Sequence, residues 1–463
     1  MADEGGQTED ERVSLLRAFR EGAAGAVTIG AAAAHLRAHW PATVEGLAAD
    51  DLLAELLVSV PIYPAWLERR MTELRQRLLT EGGGPAAEPL LANLAIQCQL
   101  NEYAWAVEPA EQGRVDGLAA RVETLTPSEV MVLACYAPLA RLPGADLLMG
   151  KVWSGPVRTV LQEQIGTVRR EQALQVRIQA LTPIRDEVSG QVRAQYEASP
   201  YPRWRRVTPV APVASIFGWP VPKAANVLFA GCGTGYHAIH AGQRYAGAKM
   251  LAVDLSRASL GYALRKTREA GIANLGFAQA DLLELGSTGL SFDVIECSGV
   301  LHHLADPFEG ARVLAGLLRP GGVMKLGLYS ATARRGLKAA KVLAKSYTPG
   351  TVRALRQAIV AAPEADPVKG AMRFSDFYAA SSCRDLLMHV QEHEMEIADL
   401  ARMIGENGLR FLGFTVAADV RAAYRQMFPD DPGATDLDRW AEFERRWPMT
   451  FGGMYQFWVH KPG

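Results

Sequence analysis

Residues 227–238 read VLFAGCGTGYHA: an apolar run, a glycine-rich loop, then residues able to start a helix. A strand that breaks into such a loop and re-enters a helix lets backbone approach a ligand closely, because glycine has no Cβ to hold it off. Alone, the loop fits nucleotide cofactors in general or simple tight packing. NAD sites usually show G-x-G-x-x-G, whereas here the third glycine, Gly235, comes one residue early. The tighter loop suits a cofactor with no pyrophosphate to seat on the helix N-terminus.

Further along, short apolar runs alternate with helix-like segments. KMLAVD (249–254), LGFAQAD (275–281), FDVIECSG (292–299) and GVMKLGLY (322–329) read as strands, and RASLGYALRKTREAG and PFEGARVLAGLLRPG as the helices between them. That alternation marks a parallel sheet of βαβ units. Two more strands are expected at 409–418 and 454–462, the second with aromatics at alternate positions, as on a strand buried on one face. Asp254 ends the second strand, where a carboxylate can accept both hydroxyls of a ribose. Asp281 follows the third, placed to take a hydrogen bond from an adenine amine. Each acid also has a plainer reading, as the cap of the helix or turn that follows it.

The ordered set GCGTG, VD, QAD, SGVLHHLADP (298–307) and LRPGG (318–322) resembles the class I S-adenosylmethionine-dependent methyltransferases over about 222–330. The resemblance implies an α/β, Rossmann-like, seven-stranded sheet in the order 3-2-1-4-5-7-6, with strand seven antiparallel. It also implies S-adenosylmethionine as cofactor and S-adenosylhomocysteine as product. Carried over, Gly231, Cys232, Gly233 and Gly235 would pass under the methionine part of the cofactor. Asp254 and Leu255 would hold the ribose and adenine, Asp281 and Leu282 the adenine, and Cys297 and Ser298 the floor near the sulfonium. Of the two histidines after strand four, His303 is the one that could reach the methyl site.

The totals set limits on the rest. The chain has 463 residues, is 49% hydrophobic and carries a net charge of −1. That is enough for two or three domains with their own cores, and it argues against a nucleic-acid partner. The acidic start MADEGGQTEDERV lacks the basic opening of a secretory signal, and no stretch of eighteen apolar residues could span a membrane. Five scattered cysteines without a CxxC pair point to reduced thiols, a cytoplasmic location and no structural zinc.

Residues 1 to about 12 are polar and acidic and are expected to be disordered. Apolar spacings of three and four then predict helices through about 194, including 157–181. The predicted domains are an all-α domain at 1–194, a connecting or lid segment at 195–222, and the methyltransferase domain at 223–463 with a helical insert at 331–408. NEYAW (101–105) is a dense polar and aromatic cluster that a buried helix junction would explain equally well. In the family the acceptor pocket is built outside the core sheet, so the insert and the segment before strand one are where it is sought. Residues 331–363 hold seven Lys/Arg and no Asp/Glu. Arg334, Lys338, Lys341 and Lys345 would form one helix stripe, either a solvated face or a patch for an acidic acceptor.

HVQEH (389–393) puts His389 and His393 four residues apart, on one face of a predicted helix, and matches the H-x-x-E-H zinc pattern. With no third ligand in context, no metal is expected. His389, His393, Asp376 or Tyr378 would instead face the acceptor, bind it or move a proton. The helix, FSDFY (374–378), NEYAW, PYPRW and the ending TFGGMYQFW are similar to segments of bacterial methyltransferases of unassigned acceptor. In QYEASPYPRW (195–204), Tyr196 and Tyr201 would close on the methyl site and Arg203 would meet a carboxylate of cofactor or acceptor. A hinge with its aromatics packed on the core is the alternative.

The expected function is methyl transfer to nitrogen or oxygen of a small organic acceptor, with a peptide or protein side chain second and a homodimer allowed for. A cofactor-binding module without chemistry, and aminopropyl transfer on the same fold, are the rivals. Intact glycine and aspartate motifs disfavour the first, and the absence of an acidic polyamine pocket disfavours the second.

Overall fold

The computed structural model describes residues 4–82, 84–245 and 247–463. The chain divides into two compact units, each built from three separated stretches. One is Met1–Gln172, Pro202–Pro209 and Ala339–Met388; the other is Ala173–Tyr201, Val210–Lys338 and His389–Gly463.

The second unit holds a seven-stranded sheet. Its strands are β1 (Asn226–Ala230), β2 (Lys249–Asp254), β3 (Leu275–Gln279), β4 (Phe292–Ser298), β5 (Leu318–Leu328), β6 (Arg410–Phe414) and β7 (Tyr455–His460). The order across the sheet is 3-2-1-4-5-7-6. Strands one to five are parallel and β7 runs antiparallel to both neighbours. Central parallel strands are covered on both faces, which is why Val227–Ala230 form an unbroken buried run. At β7 the pattern switches: Tyr455, Phe457 and Val459 point into the apolar cluster that also holds Phe414, Trp440 and Phe443. These placements follow the expectations drawn from the sequence.

The first unit is helical, and its core joins helices Asp51–Ser59, Glu88–Leu100, Pro127–Ala134 and Gly155–Leu161 through leucines, alanines and valines. NEYAW is a helix junction here. It follows helix Glu88–Leu100 with two non-glycine residues at positive φ, Glu102 (56°) and Tyr103 (60°). Its carbonyls take two arginines of the insert: Tyr103 O accepts from Arg353 Nε at 2.9 Å and Ala104 O from the buried Arg356 Nη1 at 2.5 Å.

Several expectations change. Glu4–Arg20 is a helix, so the segment expected to be disordered is ordered over that span, while residues 1–3 lie outside the described residues. The helix predicted over 157–181 ends at Gln175, and Ala180 bridges to Gln279 at the edge of β3. The sheet edge offers backbone partners that helical periodicity does not reveal. The boundaries 1–194, 195–222 and 223–463 are therefore not those of the compact units: 173–201 joins the sheet, and only 339–388 of the insert joins the helices. The basic stripe is broken as well. Arg334 sits in a 3-10 turn, only 3% exposed, paired to Glu392 at 3.1 Å, and the α-helix after it spans just Lys338–Ala344. Lys345 lies beyond its end.

Candidate cofactor site at the strand ends

The glycine loop leaves β1 and is tied to the end of β2. The N–H groups of Gly231 and Cys232 donate to Val253 O at 2.8 and 2.9 Å. The Gly233 N–H donates to Asp254 Oδ2 at 2.8 Å. All three glycines of the loop sit at positive φ with no room for a Cβ. A Cβ on Gly231 would lie 2.3 Å from a methyl of Val300, and one on Gly233 would lie 2.8 Å from the carbonyl oxygen of Tyr201, at φ of +73° and +52°. Close packing thus accounts for part of the glycine pattern directly. Gly235 then leads into helix Tyr236–Gly242.

Asp254 does both things its position allows. Oδ1 accepts the Ser256 N–H at 2.9 Å while Oδ2 takes Gly233. Each carboxylate oxygen has a second lone pair for a ligand hydroxyl. Burial pushes the Asp254 carboxyl up to about 6, against backbone N–H groups that favour its charge, with Glu197 adding to the rise. Glu197 caps the next helix: its oxygens accept the N–H groups of Arg257 at 2.7 Å and Ala258 at 3.1 Å. On the adjacent strand Asp281 is 1% exposed. Oδ1 accepts the Leu283 N–H at 3.1 Å, and Oδ2 is buried with no hydrogen-bond partner among the described residues. Burial raises that carboxyl above its usual range, against the nearby Ser189 hydroxyl and the Leu283 N–H, which favour its charge. The capping readings of both acids hold, and both acids keep acceptor capacity beyond the caps.

Leu255 is half-buried and offers its carbonyl to Gln279. Leu282 and Cys297 are buried in the apolar cluster, and burial pushes the Cys297 thiol up, leaving it neutral. Their side chains are part of the core. Ser298 Oγ is buried and without a partner among the described residues.

After β4 the histidines gather with the segment that follows the insert. The ring of His302, fully buried, stacks on Tyr329 at 3.8 Å between centroids, and neither of its nitrogens has a hydrogen-bond partner among the described residues. Burial, with His303 and Arg334 nearby, holds it well below the ordinary imidazole range. The His303 ring stacks on that of His389 at 3.6 Å. Gln391 engages both rings. Its carbonyl can only accept, so His303 Nδ1, at 2.9 Å, carries a proton. Its N–H donates to His389 Nδ1 at 3.1 Å, which leaves the proton on Nε2, 3.2 Å from the Tyr196 hydroxyl.

Residues 389–396 are not helical, so the paired-histidine face expected of HVQEH does not form. His393 instead donates its N–H to His302 O at 2.8 Å, and its Nε2 meets the Gln391 amide at 2.9 Å. Tyr201 contributes its carbonyl, which accepts the Thr234 N–H at 3.4 Å. Arg203, Asp376 and Tyr378 belong to the helical unit. There Arg203 is paired with Glu102 at 3.1 Å. The hydroxyl of the buried Tyr378 donates to Met372 O at 3.1 Å. Sequence reasoning passed over Glu197 and Gln391. Both stand inside stretches already singled out, but nothing in the chain order says what they cap or orient.

Residues 228–324 match the family model described as a methyltransferase domain. Sheet order, glycine loop and that match together define a class I S-adenosylmethionine-dependent methyltransferase domain. The chain is 30% identical over 254 residues to an uncharacterized protein of Synechococcus sp., covering 50% of this chain and 61% of that one. It is 35% identical over 115 residues to a ubiquinone biosynthesis O-methyltransferase of Ralstonia nicotianae, covering 25% of this chain and 45% of that one. It thus spans less than two thirds of the length of these curated relatives. Among solved structures, PKMT2 from Rickettsia typhi in complex with AdoHcy is similar at 15% identity and a TM-score of 0.40, covering 60% of this chain and 53% of that one. Among the described residues no helix is long and apolar enough to cross a membrane.

Proposed function

We propose that this protein transfers a methyl group from S-adenosylmethionine to a nitrogen or oxygen of a small organic acceptor. The observation that carries the reading is the Asp254–Asp281 pair at neighbouring strand ends, with Asp281 Oδ2 buried and unpartnered among the described residues. An orphaned buried carboxylate oxygen is costly unless a ligand donor meets it. An adenine amine and a ribose diol supply such donors, and the buried Ser298 hydroxyl is a further group able to meet the ligand. Bound there, the cofactor would supply a methyl on a sulfonium, already joined to a good leaving group.

What the chain adds is alignment and exclusion of water, which can be worth about 7–11 kcal/mol in favourable intramolecular cases. An acceptor arriving as an alcohol or ammonium must also lose a proton. His303, whose Nδ1 is held by the Gln391 carbonyl, is the group we assign to take it. His389 and Tyr196 form the adjoining hydrogen-bonded pair, suited to orienting the acceptor.

The O-methyltransferase relatives support the reaction type, but the chain covers under half their length, so their acceptor is not carried over. Five free, buried cysteines suit the cytoplasm. Calorimetry is expected to show binding of S-adenosylhomocysteine; no binding by the intact protein sinks the proposal. Methyl-labelled cofactor incubated with protein and a fractionated cell extract should place label in small molecules; label in polypeptide would replace the acceptor class.

A further inference from the structure

The helical unit contains a cavity of about 430 Å³ lined by Arg37, Trp40, Trp66, Arg69, Arg70 and Glu73. Its walls come from two helices. Trp66, Arg69, Arg70 and Glu73 follow the i, i+3, i+4, i+7 spacing that puts side chains on one face of helix Ala65–Glu81. Arg37 and Trp40 stand three apart at the end of helix Ala26–Ala38 and just past it. The two indoles meet edge to face, 6.0 Å between centroids at 78°. The Arg37 guanidinium lies 5.8 Å from the Trp66 ring centre.

The charge in this cavity is not balanced. Glu73 is the single acid in its lining and stands 4.0 Å from Arg70. Arg37 and Arg69 have no carboxylate partner among the described residues, and both are exposed. Arg205 and Arg356 of the same unit, by contrast, are matched by acids, Glu163 at 2.9 Å and Glu68 at 2.8 Å. Two guanidiniums left over beside two indole surfaces are the donor set for a planar ring that bears an anion. Indole faces and edges accept the ring, and guanidinium forks bind phosphate bidentately. The volume falls within the range of small-ligand sites.

We infer that the Trp40–Trp66 cavity of the helical unit is a binding site for an aromatic phosphate, a planar ring carrying a phosphate group, with Arg37 and Arg69 as the anion-binding pair. The inference is independent of the methyl-transfer reading, since it uses none of the strand-end residues. Calorimetry with GMP and with phenyl phosphate tests it, on the full chain with saturating S-adenosylhomocysteine present to keep either probe out of the strand-end site. The expected result is saturable binding of at least one probe, at least tenfold tighter than guanosine or inorganic phosphate alone. The Arg37→Ala/Arg69→Ala double variant should weaken it by at least tenfold. Both positions are exposed, so an unchanged circular-dichroism spectrum and melting temperature are expected. Equal binding of GMP and phenyl phosphate supports a site for aromatic phosphates in general; tighter GMP supports a nucleotide. No binding of either probe, or binding untouched by the double substitution, overturns the inference. A single-stranded RNA hexamer bound more than tenfold tighter than GMP would overturn it in favour of a nucleic-acid surface.

Discussion

Residues 195–201 and 202–209 are neighbours in the chain and are held in different ways. The first stretch belongs to the sheet unit and is held by acceptors. Glu197 takes two N–H groups at the start of helix Arg257–Glu269, Tyr201 gives its carbonyl to the glycine loop, and the Tyr196 hydroxyl meets His389. The second belongs to the helical unit and is held by cations. Arg203, Arg205 and Arg206 pair with Glu102, Glu163 and Glu55 at 3.1, 2.9 and 2.7 Å. Those side chains are 16–38% exposed, so each pair is worth about 0–1 kcal/mol. A segment that first looks like one lid or one hinge is two clamps meeting at Tyr201–Pro202. The first clamp acts on groups that would touch cofactor, the second on a fold.

The comparison can be broken most sharply at Gly233. Gly233→Ala forces a Cβ onto the Tyr201 carbonyl at positive φ. It should weaken S-adenosylhomocysteine binding by at least a hundredfold, about 2.7 kcal/mol, by calorimetry. A loss under tenfold would mean that Tyr201 does not hold the loop.

Acidity comes next. The Asp254 carboxyl sits at about 6 when folded, above its unfolded value. Its contribution to stability is therefore present at low pH and is lost as pH rises from about 4 to 6. Hydroxyl donors need the charged form, so cofactor affinity moves the other way and should be about tenfold weaker at pH 5 than at pH 7.5. Asp254→Asn should bind weakly with no such pH dependence; a surviving slope would point to another group.

Smaller effects separate the two clamps. Glu197→Ala removes the acceptor over a helix N-terminus, worth about 1 kcal/mol, and should weaken cofactor binding roughly fivefold. Arg203→Ala should leave that affinity within twofold and lower the stability of the protein by under about 1 kcal/mol, measured by urea unfolding. If the two variants behave alike, the boundary at Tyr201–Pro202 has no functional meaning.

The strands and both acidic strand ends were legible because parallel βαβ units repeat a local pattern, and the strand order came with the family resemblance. Apolar runs, glycine turns and carboxylates at fixed offsets all lie within a few residues of one another. HVQEH was misread for the same reason. Two histidines four apart imply a helix face, yet helix Ala380–Met388 stops one residue short. The backbone there pairs with distant groups instead, His393 N–H with His302 O and Met395 N–H with Tyr329 O.

By itself, then, the sequence determined the sheet, the glycine loop and the two acids that would hold a nucleoside, since these depend on neighbours along the chain. The tertiary structure alone decided which imidazole nitrogen carries a proton, what Glu197 caps, which unit claims each half of QYEASPYPRW, and where two arginines remain unmatched beside a pair of tryptophans. Those outcomes depend on partners dozens to hundreds of residues away, where local periodicity carries no information.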